Sequence, residues 1–200
     1  MKPMKATALY LFTAVAAFCL VAFAHTIKTR RPQLSAEMRE TAEYAVYSAL
    51  LANAHDSTLL IQNHTESAYR YDGSGDEANY IKDHLPSETS EETLIDFKQI
   101  DLQQKELNQR FALNQTYLLV TQAERLNGFA NRAGRDALFQ KYPGARAVVL
   151  LSRVGLNKNF DEALVYSWRY CGGDCGAGGY YLLRKQNGKW SIKQNKTWIS

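Results

Sequence analysis

The stretch that decides the fold is residues 146–193, RAVVLLSRVGLNKNFDEALVYSWRYCGGDCGAGGYYLLRKQNGKWSIK. It contains four runs rich in Val, Leu, Tyr and Trp, a composition typical of β-strands, and short polar or glycine-rich segments separate them. Asn187-Gly188 joins the last two runs and is a strong signal for a tight hairpin. The C-terminal third is therefore predicted to be an antiparallel meander. The four runs are Arg146 to Val154, Ala163 to Tyr170, Gly179 to Lys185 and Lys189 to Lys193.

The preceding part of the chain predicts helices and two short strands. Ser35 is a candidate N-cap, and the apolar residues that follow recur every three or four positions, which predicts an amphipathic helix over about 36–53. Because no regular βαβ spacing is visible, we expect an α+β fold, an antiparallel meander with the N-terminal helices packed on one face. The remaining predicted elements are strands at Ser57 to Gln62 and Thr116 to Thr121, a long polar loop from Thr65 to Ser87, a helix starting at the capping-box sequence Thr89-Ser90-Glu91-Glu92, and a helix from Arg132 to Lys141.

The first 24 residues have the pattern of an export signal. Lys2 and Lys5 precede 19 uncharged residues, Ala6 to Ala24, which end in the small-residue pattern of a cleavage site. Nineteen helical residues also reach roughly 28 Å, enough for an uncleaved membrane anchor, so both interpretations stay open. We expect a basic tether at 25–34 and one globular domain at 35–200. In either topology that domain lies in an extracytoplasmic space, periplasmic, secreted or tethered to the inner membrane.

The charge balance argues against a nucleic-acid partner. The chain carries 24 basic and 20 acidic residues, which is too even for a protein that neutralises phosphates. Residues 25–140 hold 12 basic against 17 acidic residues, whereas residues 141–200 hold 10 against 3. The asymmetry favours either attraction between the two halves of one fold or an acidic partner.

Cys171 and Cys175 are the two cysteines outside the leader, and they flank two glycines. Glycine permits the tight reversal that would bring the two sulfurs together, so a structural disulfide is the first interpretation. A redox pair, a metal site and a cysteine nucleophile remain alternatives, the last with Cys175 served by His55 or His64 as base. No catalytic residue, metal ligand or cofactor is assigned.

A strand from Ala163 to Tyr170 would place aromatic side chains on one face by its two-residue period. Such a face could stack on a sugar, a peptide or an aromatic ligand, with arginines contacting an anion at its edge. It could equally be the core beneath the helices. The residues of this possible ligand face are Tyr166, Trp168, Tyr170, Arg153 and Arg169.

Several C-terminal motifs together resemble a family of uncharacterised exported bacterial proteins. The resemblance covers about 60 residues and carries no known activity. It implies an extracytoplasmic bacterial domain in which the two-cysteine glycine loop is part of the pattern. The motifs are Tyr142-Pro143-Gly144, Leu151-Ser152-Arg153-Val154-Gly155-Leu156-Asn157, Ala163-Leu164-Val165-Tyr166, Cys171-Gly172-Gly173-Asp174-Cys175-Gly176-Ala177-Gly178, Tyr181-Leu182-Leu183, Gly188-Lys189-Trp190 and Trp198-Ile199-Ser200.

The function expected from the sequence is a binding or structural module with a glycine-rich disulfide loop. Its partner would be an unknown protein or small-molecule ligand, with no nucleic acid and no cofactor. Membrane contact is expected only through residues 6–24, if these are uncleaved. The alternative is a cysteine-dependent hydrolase or thiol oxidoreductase that uses Cys175 or the Cys171/Cys175 pair.

Overall fold

The computed structural model describes residues 36–68, 84–173 and 175–199. The chain forms two compact units, Met1–Thr41 and Ala42–Ser200. In the first unit residues 36–41 are described, and they are helical. The predicted leader, the tether and most of the long polar loop lie outside the described residues. Among the helices that are described, none is both long enough and apolar enough to cross a membrane.

Six strands form one mixed sheet in the order β2-β1-β3-β4-β5-β6. The strands are β1 (Thr58–Gln62), β2 (Thr116–Val120), β3 (Val148–Leu156), β4 (Glu162–Gly172), β5 (Cys175–Gln186) and β6 (Lys189–Ile199). The helices are α1 (residues 36–51), α2 (Glu91–Ile100), α3 (Gln122–Gly128) and α4 (Arg132–Lys141). The predicted α+β class is confirmed, with an antiparallel meander from β3 to β6 and the helices before it.

The short strands β1 and β2 add a parallel portion that the sequence did not predict. β1 pairs in parallel with β2 on one side and with β3 on the other. Parallel neighbours need a long crossover, and residues 63–115 between β1 and β2 supply one that contains α2. This crossover allows two parallel pairs in a sheet whose sequence shows no regular βαβ spacing. The sheet is therefore mixed.

Helices pack on both faces of the sheet, not on one face as the sequence predicted. All nine residues of β3 are buried, as expected of a strand packed on two sides. Alternate strand residues enter two separate cores: Tyr47 of α1 lies in one, and Phe97 of α2 lies in the other. We call the two sides of the sheet the α1 face and the α2 face. The division follows from the strand period, because residues such as Val149 and Leu150 must point to opposite sides.

A β-bulge interrupts the β3–β4 pairing. Leu151 lies opposite Ser167, but the next pair is Val154 with Val165, so Ser152 and Arg153 together face one residue of β4. The Ser152 hydroxyl accepts the backbone N–H of Tyr166 at 2.8 Å and so replaces a missing ladder bond. Bulges re-aim side chains, and this one returns Val154 to the core that holds Leu151, while Arg153 points toward α1 as alternation from Leu151 predicts.

Two polar residues at the β3–β4 turn fix the start of α2. Asn157 closes the turn through its side-chain oxygen, which accepts the backbone N–H groups of Asp161 and Glu162. One carboxylate oxygen of Glu162 then accepts the backbone N–H of Ser90 and the hydroxyl of Thr93, each at 2.9 Å. Ser90 is the N-cap of α2, so the helix begins one residue later than a capping box at Thr89 would place it.

Glu43 links α1 to both the bulge and the loop after α2. Its side chain is fully buried, and its two oxygens receive different cations. The Arg153 Nε atom lies 3.0 Å from Oε1, and Lys105 Nζ lies 2.8 Å from Oε2. Arg153 is also largely buried, so the structure assigns this predicted ligand contact to an internal ion pair.

Replacing Glu43 by Gln should destabilise the domain by about 3–5 kcal/mol, because two cations would lose their shared carboxylate in a buried site. Urea unfolding at neutral pH measures the effect. Asp136→Asn is the matched control, since its pair with Arg132 is exposed and spans 4.0 Å. The control should leave stability unchanged. Equal changes in stability for the two substitutions would show that the buried carboxylate of Glu43 stabilises the domain no more than an exposed one.

Candidate functional site

The aromatic part of the predicted ligand face lies in the core. Tyr166 and Trp168 are 3% and 8% exposed and belong to the core on the α2 face. Tyr170 is half-buried, and its ring lies 4.6 Å from that of Phe129 between centroids. These positions fit the interpretation as core, and ligand stacking on them stays a prediction.

The glycines after the disulfide loop make room for these rings. Gly178 lies opposite Trp168 in the β4–β5 ladder, and a Cβ at this glycine would collide with the indole. Trp198 of β6 pairs with the same glycine, and its ring lies 6.4 Å from that of Trp168 between centroids. The glycine-rich segment of β5 is thus explained by packing on the α2 face.

Arg153 and Arg169 lie on the opposite side, the α1 face. Arg153 contacts Glu43 of α1, and Arg169 shares a face with Val165 by the strand period. The five predicted residues are therefore divided between the two faces of the sheet. Arg169 alone among them lines a pocket of the α1 face.

This pocket, the Arg169 pocket, opens where α1 ends above β4 and β5. Its volume is about 130 Å³. Its lining combines aliphatic side chains with three side chains that carry polar groups. The lining residues are Leu50, Leu51, Ala54, Leu59, Val149, Ser167, Arg169, Ala177 and Tyr181.

Asp56 holds the guanidinium of Arg169 in place. Arg169 Nη2 lies 2.8 Å from Oδ1 and 2.6 Å from Oδ2 of Asp56, and Nε lies 3.3 Å from Oδ2. Nη1 has no hydrogen-bond partner among the described residues. The Arg169 side chain is 44% exposed, whereas that of Asp56 is 6% exposed. One edge of a fixed guanidinium therefore remains available at the pocket.

Two hydroxyl groups add to the polar part of the pocket lining. Within the described part of the chain, the hydroxyls of Ser167 and Tyr181 have no hydrogen-bond partner either. Burial raises the pKa of Tyr181 above its ordinary value, so its hydroxyl keeps its proton at neutral pH. Arg169, Ser167 and Tyr181 thus offer N–H and O–H donors in a pocket that also has aliphatic side chains, an arrangement suited to an anionic group on an apolar body.

The sheet surface next to the pocket is open to solvent. Cross-strand pairing places Ile199 beside Ala177 and Ile192 beside Leu183, so these residues share the α1 face. Ile199 is 85% exposed and Ile192 is 42% exposed. Six of the exposed and half-exposed residues of this face of β5 and β6 form what we call the open strip: Ala177, Tyr181, Ile192, Asn195, Thr197 and Ile199.

A disulfide closes the β4–β5 hairpin beside the pocket. Cys171 and Cys175 are bonded, and their Cα atoms lie 5.2 Å apart. Gly172 and Gly173 have positive φ angles of 91° and 56°, which explains why glycine is needed in the reversal. The expected structural disulfide is therefore present. It ties together the strand ends that carry Arg169 and Ala177, which face each other in the ladder.

Replacing both cysteines by Ser should lower stability by about 2 kcal/mol, the loop-closure entropy of a five-residue ring. Chemical denaturation measures the shift. Unfolding the unmodified protein in the presence of a phosphine reductant is the matched control and should give the same shift. An unchanged denaturation midpoint for the double variant would contradict the role as a staple.

A second polar cluster lies at the carboxyl ends of β1 and β2. Gln62 donates to Glu66 at 2.8 Å and accepts from Arg125 Nε at 2.6 Å, and all three side chains are buried. The ring nitrogens of His64 contact Asn63 Oδ1 and Gln62 Nε2 at 3.1 and 3.2 Å. His64, a predicted candidate base, is thus part of a network that fastens the chain after β1. His55, the other candidate, is exposed.

Asp101 is the C-cap of α2 and holds the segment after β1. Its Oδ2 accepts the Ser67 hydroxyl at 2.9 Å and the Ala68 backbone N–H at 2.8 Å. Burial raises the pKa of this carboxyl to about 6, and these hydrogen bonds act in the opposite direction. The folded protein therefore binds the Asp101 proton more tightly than the unfolded chain does.

Because the folded-state pKa is the higher one, stability should fall as the pH rises through about 6. Asp101→Asn removes this loss. From pH 5 to pH 7 the free energy of unfolding of the variant should rise by about 1 kcal/mol relative to that of the unmodified protein. Urea unfolding at both pH values measures this change.

Glu124→Gln is the control for this pH effect. The pKa of Glu124 is lowered to about 2, chiefly by its hydrogen bond from Lys141, so this carboxyl is ionised throughout the range from pH 5 to 7. Its replacement should leave the pH dependence in that range unchanged. If the difference in free energy of unfolding between the Asp101 variant and the unmodified protein is the same at pH 5 and pH 7, the assigned titration of Asp101 is wrong.

The donor set of the described residues does not point to a metal centre. Within residues 36–68, 84–173 and 175–199, no group of three or more His, Cys, Asp or Glu side chains is placed to hold a metal ion. Comparison with known proteins adds no further constraint, because no family model, no curated protein and no solved structure matches this chain. The site must be interpreted from its own geometry.

Proposed function

We propose that this chain is an extracytoplasmic binding module that takes its ligand in the Arg169 pocket and along the open strip. The observation that carries the proposal is that Arg169, Ser167 and Tyr181, each with a donor that has no partner among the described residues, line one pocket together with aliphatic side chains. Ligand sites in proteins combine a mostly apolar lining with a few placed polar groups in this way. The binding surface belongs to the meander, as expected from the sequence, but to its α1 face.

The compartment is part of the proposal. A disulfide is consistent with an oxidising environment outside the cytoplasm. The export-signal pattern of residues 1–24 and the resemblance to exported bacterial proteins support the same location. Signal cleavage and membrane tethering both stay open predictions.

The enzymatic alternative is less well supported. A Cys175 nucleophile requires a free thiolate, and Cys175 is bonded to Cys171. His64, one of the two candidate bases, is engaged with Gln62 and Asn63. A thiol oxidoreductase would need this disulfide to be readily reduced, so its reduction potential is the measurement that would revive the alternative.

Amide chemical shifts in two-dimensional NMR spectra test the binding proposal. The purified protein is titrated with a mixed set of small carboxylates, amines, amides and sugars. At least one class should shift the signals of Ser167, Arg169, Ala177 and Tyr181. The signal of Ser191, which lies on the α2 face of β6, should stay in place.

Ala177→Phe serves as the matched variant, because a large side chain there would occupy the pocket. It should abolish the shifts produced by the active class. If no class of compound shifts the amide signals of the pocket residues, the proposed function is wrong.

A further inference from the structure

We infer that the occupant of the Arg169 pocket is the C-terminal residue of an acidic polypeptide, with its aliphatic side chain in the pocket and its terminal carboxylate on Arg169. This inference rests on the proposed binding function and names the class of partner. It follows from three independent features: the free edge of the guanidinium, the size of the pocket and the charge of the surrounding surface.

The remaining edge of the guanidinium matches a carboxylate in geometry, and Asp56 already balances its charge. Arg169 uses Nε and Nη2 to bind Asp56, so its orientation is fixed before any ligand arrives. A guanidinium carries five N–H donors in a planar fork, and the edge that includes Nη1 matches a second carboxylate. The donors of Ser167 and Tyr181 also favour an acceptor group. A cationic ligand would find no exposed acceptor among these three side chains other than two hydroxyl oxygens.

The pocket volume selects a small aliphatic side chain. Cavities of about 150 Å³ lined by aliphatic groups hold a molecule the size of benzene. The Arg169 pocket is slightly smaller at about 130 Å³, and Leu50, Leu51, Leu59 and Val149 form its apolar part. Leu, Ile and Val side chains fit this space, whereas a larger ligand body would extend outside the pocket.

The surface around the pocket could contact the residues of a polypeptide that precede its C-terminal residue. The open strip continues from Ala177 along β5 and β6, where Ile199 and Ile192 remain exposed. Lys185 is exposed on the α1 face of β5, and neither β5 nor β6 contains an acidic residue. A free small acid would leave this strip unused. An acidic peptide would cover it and would be attracted by Lys185.

The test is isothermal titration calorimetry with three probes. The first is the acetylated peptide Glu-Glu-Ile-Leu with a free C-terminal carboxylate, the second is the same peptide with a C-terminal amide, and the third is N-acetyl-leucine. The free-acid peptide should bind at least about tenfold more tightly than either of the others, because only it offers both carboxylate and extended contacts.

Two variants with matched controls locate the binding. Arg169→Lys keeps a cation beside Asp56 but loses the guanidinium edge that includes Nη1. The affinity for the free-acid peptide should fall about tenfold. Arg184→Lys on the α2 face is its control and should leave binding unchanged. Ala177→Phe, which occupies the pocket, should abolish binding, and Ser191→Phe on the other face should not. Unfolding curves confirm that each variant is folded before it is titrated.

Each opposite result has a distinct meaning. Equal binding of the amide would overturn the carboxylate assignment, and equal binding of N-acetyl-leucine would overturn the polypeptide. If none of the three probes binds but another fragment class shifts the pocket signals in the NMR experiment, the inference fails and the proposed function stands. If no fragment binds either, both fail.

Discussion

The buried carboxylate of Glu43 is the contact on which the rest of the arrangement depends. It joins α1 to the bulge of β3 through Arg153 and to the loop after α2 through Lys105. Three segments that are far apart in the chain therefore share one anion in the core. The position of α1 on the sheet follows from this contact, and the end of α1 forms one side of the Arg169 pocket.

The bulge at Ser152 and Arg153 lies next to this contact and sets the faces of the residues that follow it. Alternation from Leu151 places Arg153 on the α1 face, where it meets Glu43, and Ser152 on the other face. The extra residue shifts the alternation, so that Val154 enters the same core as Leu151. Gly155 follows where α2 approaches so closely that a Cβ would collide with Phe97. The motif from Ser152 to Asn157, which carries the resemblance noted above, is thus explained by the fold.

Local patterns predicted the local structure well. The bounds of α4 match its predicted range, Arg132 to Lys141, and the alternation along β4 separates Trp168 from Arg169 as expected. α3 was missed because its seven residues, Gln122–Gly128, contain two apolar side chains and no helical period. Its signal was the capping box of Thr121 and Glu124, which the structure contains. The parallel pairing of β1 depends on contacts across more than 50 residues, and no local pattern encodes it.

The candidate site was also predictable only in part, because some of its contacts are local in sequence and others join distant residues. Sequence alternation placed Ser167 and Arg169 on one face, but it could not show that Asp56 would fix the guanidinium, because these residues lie 113 positions apart. The aromatic residues attracted attention because large rings on a strand suggest stacking surfaces. In this fold the same rings fill the space that the glycines of β5 leave on the α2 face. Composition alone cannot separate these two uses of an aromatic run.

The lengths of the elements explain why a pocket forms where it does. The ten α1 residues within the second unit, 42–51, extend about 15 Å, whereas the eleven residues of β4 extend about 36 Å. Whatever its direction, this part of the helix covers less than half the length of the long strands. The uncovered remainder includes Arg169 and Ala177, at the end of the sheet that the disulfide closes, and the open strip extends from there along β5 and β6. A surface that leaves isoleucines exposed beside a fixed arginine costs solvation free energy, and binding a partner there would recover it.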